Sequence, residues 1–229
     1  MPIQPNLCRH KPQAIIFDFD GVLVESVDVK TEAFRELFKD FPDEMDAFIP
    51  YHLEHGGISR FEKIRYFFNE IRKSPINESE VLTWAQRFGD IVVEKVISSQ
   101  FVKGAEDLLK YCDGRYAMFI VSGTPEEELK LIIRKRKLEC FFKAIFGSPE
   151  KKTTLVQRIL TEYKIDIQKA IFIGDSKTDV EAAKHFQIPF ILRINGDNKK
   201  FFQNETLLDV VEDMTGVRTV LERLEKVNI

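Results

Sequence analysis

The chain has 229 residues, 44% of them hydrophobic and 31% charged, a composition that suits one globular domain or a core carrying a smaller insert. Its 34 basic residues against 37 acidic ones give a formal net charge of −3; that excludes the strong positive field of a nucleic-acid binder, and no apolar run reaches the length of a membrane span. The opening stretch, MPIQPNLCRHKPQ, lacks an apolar signal region, and the widely spaced Cys8, Cys112 and Cys140 read as reduced thiols of a cytoplasmic protein rather than as a disulfide framework.

In chain order, the first apolar run is Ala14–Asp18, a buried strand that ends in FDFDG, with Asp18 and Asp20 one residue apart. Four further segments are nearly all apolar and read as buried parallel strands: Tyr116–Ser122, Ala144–Gly147, Ala170–Asp175 and Pro189–Ile194. Helical stripes alternate with them, through Leu108 and Leu109, then Leu129, Ile132 and Ile133, then Leu155, Val156, Ile159, Leu160 and Tyr163, and last Val217, Val220, Leu221 and Leu224. This alternation predicts an α/β fold with a doubly wound, Rossmann-like parallel sheet. Between the first two strands lie almost a hundred residues without a strand pattern. Phe61, Ile64, Phe68 and Ile71 repeat there at helical spacing, and PINESEVLTWAQRFGDIVVEKVI reads as a further helix. A crossover needs one helix rather than several. We therefore expect an inserted helical cap domain at residues 28–99, with residues 1–27 and 100–229 forming the core.

Ligands of open α/β sheets bind beyond the carboxyl ends of the strands. At those ends stand Asp18 and Asp20, then Ser122 before GTPEEE, then Lys151 and Lys152 in SPEKK, then Asp175 and Asp179 in GDSKTD. Four gathered carboxylates repel one another, and a hard divalent cation such as Mg²⁺ resolves that conflict with oxygen ligands. After Ser122 comes a helix start, with Thr124 as its cap, Pro125 in its first turn and three glutamates favouring its N-terminus. A hydroxyl beside free backbone N–H groups makes an anion site, to which a lysine adds positive charge. Metal, phosphate cradle and spare carboxylate together describe phosphoryl transfer.

FDFDGVLVES, VSGTP, the lysine of SPEKK and IFIGDSKTDV occur in the order found in the haloacid dehalogenase superfamily, and the chain resembles its phosphatases with a helical cap after the first strand. The resemblance implies Asp18 as nucleophile forming an aspartyl-phosphate, and Asp20 as general acid/base. It implies Mg²⁺ bound by Asp18, the backbone carbonyl of Asp20 and Asp175, with Asp179 in support. Ser122, the Gly123 backbone and a lysine would hold the phosphoryl oxygens; Lys152, directly before the next helix, is favoured over Lys151. Dehalogenases of the superfamily lack the second aspartate and its transport ATPases carry threonine there, so Asp20 points to a phosphatase or a phosphomutase. HGGISRFEKI resembles the cap loop of β-phosphoglucomutase and related sugar-phosphate phosphatases. That match brings Arg60 into the cleft as a substrate contact. The mutases' hinge histidine corresponds here to Lys30, which weakens the mutase reading and makes Lys30 a second substrate contact.

The expected function is therefore a Mg²⁺-dependent phosphomonoesterase acting on a small, sugar-like organic phosphate. The rivals are a phosphomutase and a non-catalytic phosphate-binding module on the same fold. The expected partner is a phosphate ester, with neither nucleic acid nor membrane, and oligomeric state is left open. His52 and His55, without a third ligand nearby, make a poor zinc site. The basic run RKRK at 134–137 reads as solvated helix surface. Trp84 and the phenylalanines at 61–68 read as core of the insert.

Overall fold

The computed structural model describes residues 11–196 and 198–227; Cys8 and most of the N-terminal stretch read above lie outside them. Six parallel strands form one sheet: β1 (Ala14–Phe17), β2 (Ala117–Pro125), β3 (Ala144–Ser148), β4 (Ala170–Gly174), β5 (Phe190–Arg193) and β6 (Asp209–Val211). Their spatial order is β3-β2-β1-β4-β5-β6. All four side chains of β1 are fully buried. Ile15 and Phe17 join one hydrophobic cluster, while Ala14 and Ile16 join another. A strand apolar at every position is thus buried on both faces, as a doubly wound parallel sheet requires.

The layers follow from those clusters. Against the Ile15/Phe17 side pack helices α5 (Ala105–Cys112), α6 (Glu126–Lys135) and α9 (Met214–Val227). The opposite face is covered by α7 (Lys152–Glu162) and α8 (Lys177–His185). The sixth strand was not expected from the sequence. It is three residues long at the sheet edge and half-buried at Asp209 and Val210, so it lacks the all-apolar signature of a central strand.

Between β1 and β2 run α1 (Val27–Leu37), α2 (Met45–Glu54), α3 (Arg60–Tyr66) and α4 (Glu78–Ser98). Helix α4 begins at the capping box Asn77/Glu80, in which each side chain meets a backbone N–H of the other. The core of this insert is aromatic: Phe38 stacks on Phe67 at 3.8 Å, and Phe34, Phe48, Phe68 and Trp84 surround them. The two chain crossings between sheet and insert lie side by side. Glu25 N donates to Gln100 O at 2.9 Å, and Val102 N to Leu23 O at 3.0 Å.

Both crossings are gripped by arginines of the sheet-and-helix core. Arg193 Nη1 donates to Gly21 O at 3.0 Å, and its guanidinium pairs with Glu25. Arg136 Nη1 donates to the carbonyls of Val96, Ile97 and Ser99 at the end of α4. RKRK is therefore not uniformly solvated: Arg136 is half-buried over the Phe101 ring. Helix α6 also starts later than expected. The strand continues through Thr124 and Pro125, the helix begins at Glu126, and the Thr124 hydroxyl is turned to Asp20 rather than to a cap.

Candidate active site

The strand ends deliver their polar residues to one side of the sheet, at the mouth of a cavity of about 720 Å³ between core and insert. Asp18 follows β1 directly and is 3% exposed. Its Oδ1 accepts from Phe19 N at 2.6 Å, which fixes the carboxylate, and its Oδ2 accepts from Lys152 Nζ at 2.6 Å. The same ammonium donates to Asp179 Oδ1 at 2.6 Å. Lys151 is exposed, so Lys152 is the lysine that reaches the carboxylates. Asp179 Oδ2 accepts from Ser176 N and Ser176 Oγ, closing a capping box at the start of α8. Both Asp179 oxygens are thus engaged, Oδ1 with Lys152 and Oδ2 with Ser176.

Asp175 stands on the other side of Asp18. Asn195 Nδ2 donates to its Oδ2 at 2.7 Å, and Asn198 Nδ2 to its backbone carbonyl at 3.1 Å. Neither asparagine was singled out from the sequence, because a loop after the fifth strand carries no marker of proximity to the fourth. Gly21 has φ +71°, and a Cβ there would lie 2.1 Å from Asp175 Oδ2. The glycine after the aspartate pair thus both turns the chain and clears room for the third carboxylate.

Asp18, Asp175 and Asp179 each offer an oxygen within 4.8 Å of the others. Burial and the neighbouring Asp179 push Asp18 well above the ordinary carboxylate range, with Lys152 pulling the other way. Burial, then Asp179, push Asp175 up to about 7. Hard oxygen donors carrying more negative charge than one ammonium offsets are what a divalent cation of the Mg²⁺ type fits.

Asp20 faces away from that cluster. Its Oδ1 accepts from Ser26 Oγ at 2.6 Å; its Oδ2 accepts from Lys30 Nζ at 2.5 Å, Thr124 Oγ1 at 2.9 Å and Ser122 Oγ at 3.3 Å. Burial alone would raise its pKa, but the Lys30 ammonium and the hydrogen bonds of Lys30, Ser26 and Thr124 outweigh it and hold the carboxyl below its usual value. Lys30, on α1, also donates to Thr124 Oγ1 at 2.7 Å. The residue at the mutases' histidine position therefore touches the expected acid/base directly. Ser122 is buried, and its Oγ accepts from Thr124 N at 3.1 Å. A Cβ on Gly123 would come 2.4 Å from Gly57 O, so the insert's GGIS loop sits directly on the expected phosphate loop.

Arg60 lines the cavity but is not free within it. Both terminal nitrogens donate to Glu128 of α6, with Nη1–Oε2 at 2.8 Å, and the guanidinium lies 4.6 Å from the centre of the Phe88 ring. His52 and His55 share no ligand: His55 meets the Tyr51 carbonyl, while His52 is buried between Thr31 and Lys63. Lys63, unmarked in the sequence reading, is 4% exposed and also lines the cavity. One signal was available: it stands three residues after Arg60, beside the apolar Ile64, on the inward face of α3.

The model of the family described as haloacid dehalogenase-like hydrolase matches residues 15–193. Phosphoglycolate phosphatase 1 of Pseudomonas aeruginosa is 25% identical over 187 residues, covering 79% of this chain and 69% of that one. A phosphorylated carbohydrates phosphatase of Thermotoga maritima is 24% identical over 189 residues, covering 75% and 80%. The chain spans about two thirds of the length of the Pseudomonas phosphoglycolate phosphatases that it matches. A provisionally named beta-phosphoglucomutase from Bacteroides vulgatus superposes with a TM-score of 0.76 at 18% identity, over 95% of this chain and 90% of that one, a likeness of fold.

Proposed function

The chain belongs to the haloacid dehalogenase-like hydrolase family, in its phosphatase branch, and we propose that it hydrolyses a small organic phosphate monoester through an aspartyl-phosphate on Asp18. The observation that carries this reading is the pair of differently held carboxylates one residue apart. Asp18 is fixed by Phe19 N and Lys152, whereas Asp20 is held among Lys30, Ser26 and Thr124. The first suits a positioned nucleophile and the second a group that moves a proton.

An Asp18 oxygen attacks phosphorus, the bond from phosphorus to the leaving oxygen breaks, and Asp20 passes to that oxygen the proton that the arriving phosphate monoester, with a second pKa of about 6, brings into the site. Water then attacks the aspartyl-phosphate, Asp20 takes the proton back, inorganic phosphate leaves and Asp18 is regenerated. Lys152 offsets the charge on the nucleophile and on the transferring phosphoryl group, and Ser122 with the Gly123 backbone positions its oxygens. Asp18, Asp175 and the backbone of Asp20 would hold Mg²⁺, with Asp179 behind them through Lys152. When bound, the ion supplies charge neutralisation among the carboxylates and at the phosphoryl oxygens.

We read the helical insert, residues 28–99, as the cap over this site, and the names of the relatives support a phosphorylated organic acid or carbohydrate as substrate. Lys30 favours hydrolysis over mutase chemistry, because a side chain hydrogen-bonded to Asp20 and Thr124 stands where the related mutases carry a proton-passing histidine. The free thiols of Cys112 and Cys140 support a reducing compartment, and we place the protein in the cytoplasm. The test is phosphate release from a set of phosphorylated metabolites with Mg²⁺, with chelator, and with Asp18→Asn. Release that needs Mg²⁺ and disappears in the variant is the expected result; equal release by the variant would refute the mechanism.

A further inference from the structure

Cations from both insert and core line the cavity, and most have an anionic partner. Lys30 pairs with Asp20, Arg60 with Glu128, Lys177 with Glu54 and Arg193 with Glu25. Lys200 is exposed and needs none. Lys63 differs, being buried yet in no ion pair among the described residues. Its Nζ donates to His52 Nδ1 at 2.9 Å and to the His52 carbonyl at 3.2 Å. The tautomer of His52 follows from its other neighbour. Thr31 Oγ1 donates to Val27 O at 3.0 Å and therefore accepts from His52 Nε2, at 3.1 Å. That leaves the Nδ1 lone pair for Lys63, and the neutral ring orients the ammonium without offsetting its charge.

Lys152 gives the contrast within the same molecule. It is equally buried, but two carboxylates hold it protonated against the cost of burial. Burial and the nearby Lys30 charge instead push Lys63 down to about 7, outweighing the upward pull of the Asp20 and Asp175 carboxylates. Burying an ammonium with no carboxylate in contact is costly, and an apolar side chain of the same length would pack there more cheaply. A lysine held in that position, facing a cavity whose far end gathers the phosphoryl-handling groups, is suited to an anion that arrives with the substrate.

Resting on the phosphatase reading above, we infer that Lys63, oriented by His52 and Thr31, receives a second anionic group of the substrate, so that the enzyme selects phosphate monoesters bearing a further carboxylate or phosphate. Arg60 is committed to Glu128, and Lys30 to Asp20. Lys63 is therefore the cavity cation through which the remainder of the substrate is recognised, and a phosphorylated acid or a bisphosphate fits better than a monophosphate of a neutral sugar.

Two matched substrate pairs test this with Mg²⁺ present: 2-phosphoglycolate against 2-hydroxyethyl phosphate, and a hexose bisphosphate against the corresponding hexose monophosphate. The wild type is expected to favour the more anionic member of one pair by about ten- to a hundredfold in kcat/KM, mainly through KM, the range of a charge-assisted hydrogen bond. The pair that responds tells carboxylate from phosphate. In Lys63→Met that ratio should fall to within about twofold, and Lys63→Arg should recover part of it. A lysine serving only to cap the end of α2 would instead lower the melting temperature and leave the ratio where it was, which overturns the inference. Should Lys63→Met not fold, the wild-type ratio together with Lys63→Gln decides: no preference within either pair overturns the inference alone. Absence of phosphate release from every ester overturns the phosphatase reading and the inference with it.

Discussion

Lys152 touches both Asp18 and Asp179, so one ammonium offsets the charge of the proposed nucleophile and of its buried neighbour. Lys152→Met should lower kcat by about 10²–10³, as loss of a charge-stabilising donor does elsewhere; phosphate-release kinetics at saturating Mg²⁺ check it, and an unchanged kcat would remove Lys152 from the mechanism. Asp20→Asn keeps the hydrogen-bonding shape but not the proton. It should cost about 10²–10⁴ on an alkyl phosphate and clearly less on p-nitrophenyl phosphate, whose leaving group needs no proton; equal losses on both would refute the role. The residues behind these two predictions were legible because each sits beside its own strand end, where an apolar run stops in aspartate, serine or Gly-Asp. Glu128 was not legible, and Lys63 only through its helical spacing from Arg60. Arg60 and Glu128 are 68 residues apart in sequence, and only the folded chain shows that the arginine is already engaged. A lone lysine on a charged helix looks like solvated surface until its burial is known.

At the scale of elements, two short polar details hold helices in place. Gly89 lies inside α4, where glycine costs about 0.5–1 kcal/mol relative to alanine. A Cβ there would lie 3.0 Å from Arg60 Nη1 and 3.1 Å from Glu128 Oε2. The glycine thus keeps open the notch in which that ion pair sits. Gly89→Ala, which gains helix propensity, should nonetheless fail to stabilise the protein; a raised melting temperature would mean that the notch is not needed. At the start of α9, Asp213 Oδ1 accepts from Thr215 N at 2.9 Å and from the Thr215 hydroxyl, while Oδ2 meets Lys103 at 3.1 Å. The Thr215 hydroxyl foremost, with Lys103 and the backbone N–H groups of Thr215 and Gly216, lowers its pKa to about 2. A lowered carboxyl pKa contributes stability that is complete above the ordinary value of 3.8 and lost as pH falls through about 2. Asp213→Ala should therefore cost about 1 kcal/mol at neutral pH, with the gap to wild type narrowing between pH 4 and 2 in denaturant titrations; a gap independent of pH would refute the capping role. Neither detail was visible beforehand. Five strands announce themselves by unbroken apolar runs, but β6 is a three-residue edge strand, and the end of β2 runs on through polar Ser122 and Thr124 because both are buried at the site.

For the whole molecule, the question is how insert and core move against each other. The two crossings are paired by backbone hydrogen bonds and held by Arg193 and Arg136, so they form a stiff, doubly anchored neck. Beyond the neck, the insert meets the core at the Arg60–Glu128 pair, at Lys30 with Asp20 and Thr124, and where Gly57 lies on Gly123. Arg60 is 6% and Glu128 14% exposed at the side chain, so removing one partner strands a buried charge, at a cost of about 3–5 kcal/mol if nothing moves. We propose that the insert instead rocks on this neck, which returns the unpaired group to water. The cost then falls on the closed arrangement rather than on folding. Arg60→Met and Glu128→Gln should each leave the global unfolding midpoint close to wild type, while hydrogen exchange speeds up at residues 57–60 and 122–128, which meet where insert and core touch. Arg60→Met combined with Glu128→Leu replaces the pair by apolar groups and should restore protection. If the insert acts as the proposed cap, both single variants should lose kcat/KM on the preferred substrate, because a cap that closes less often excludes water less well. A large fall in the unfolding midpoint without faster exchange across the cavity would show instead that the pair is a fixed strut and that insert and core do not separate.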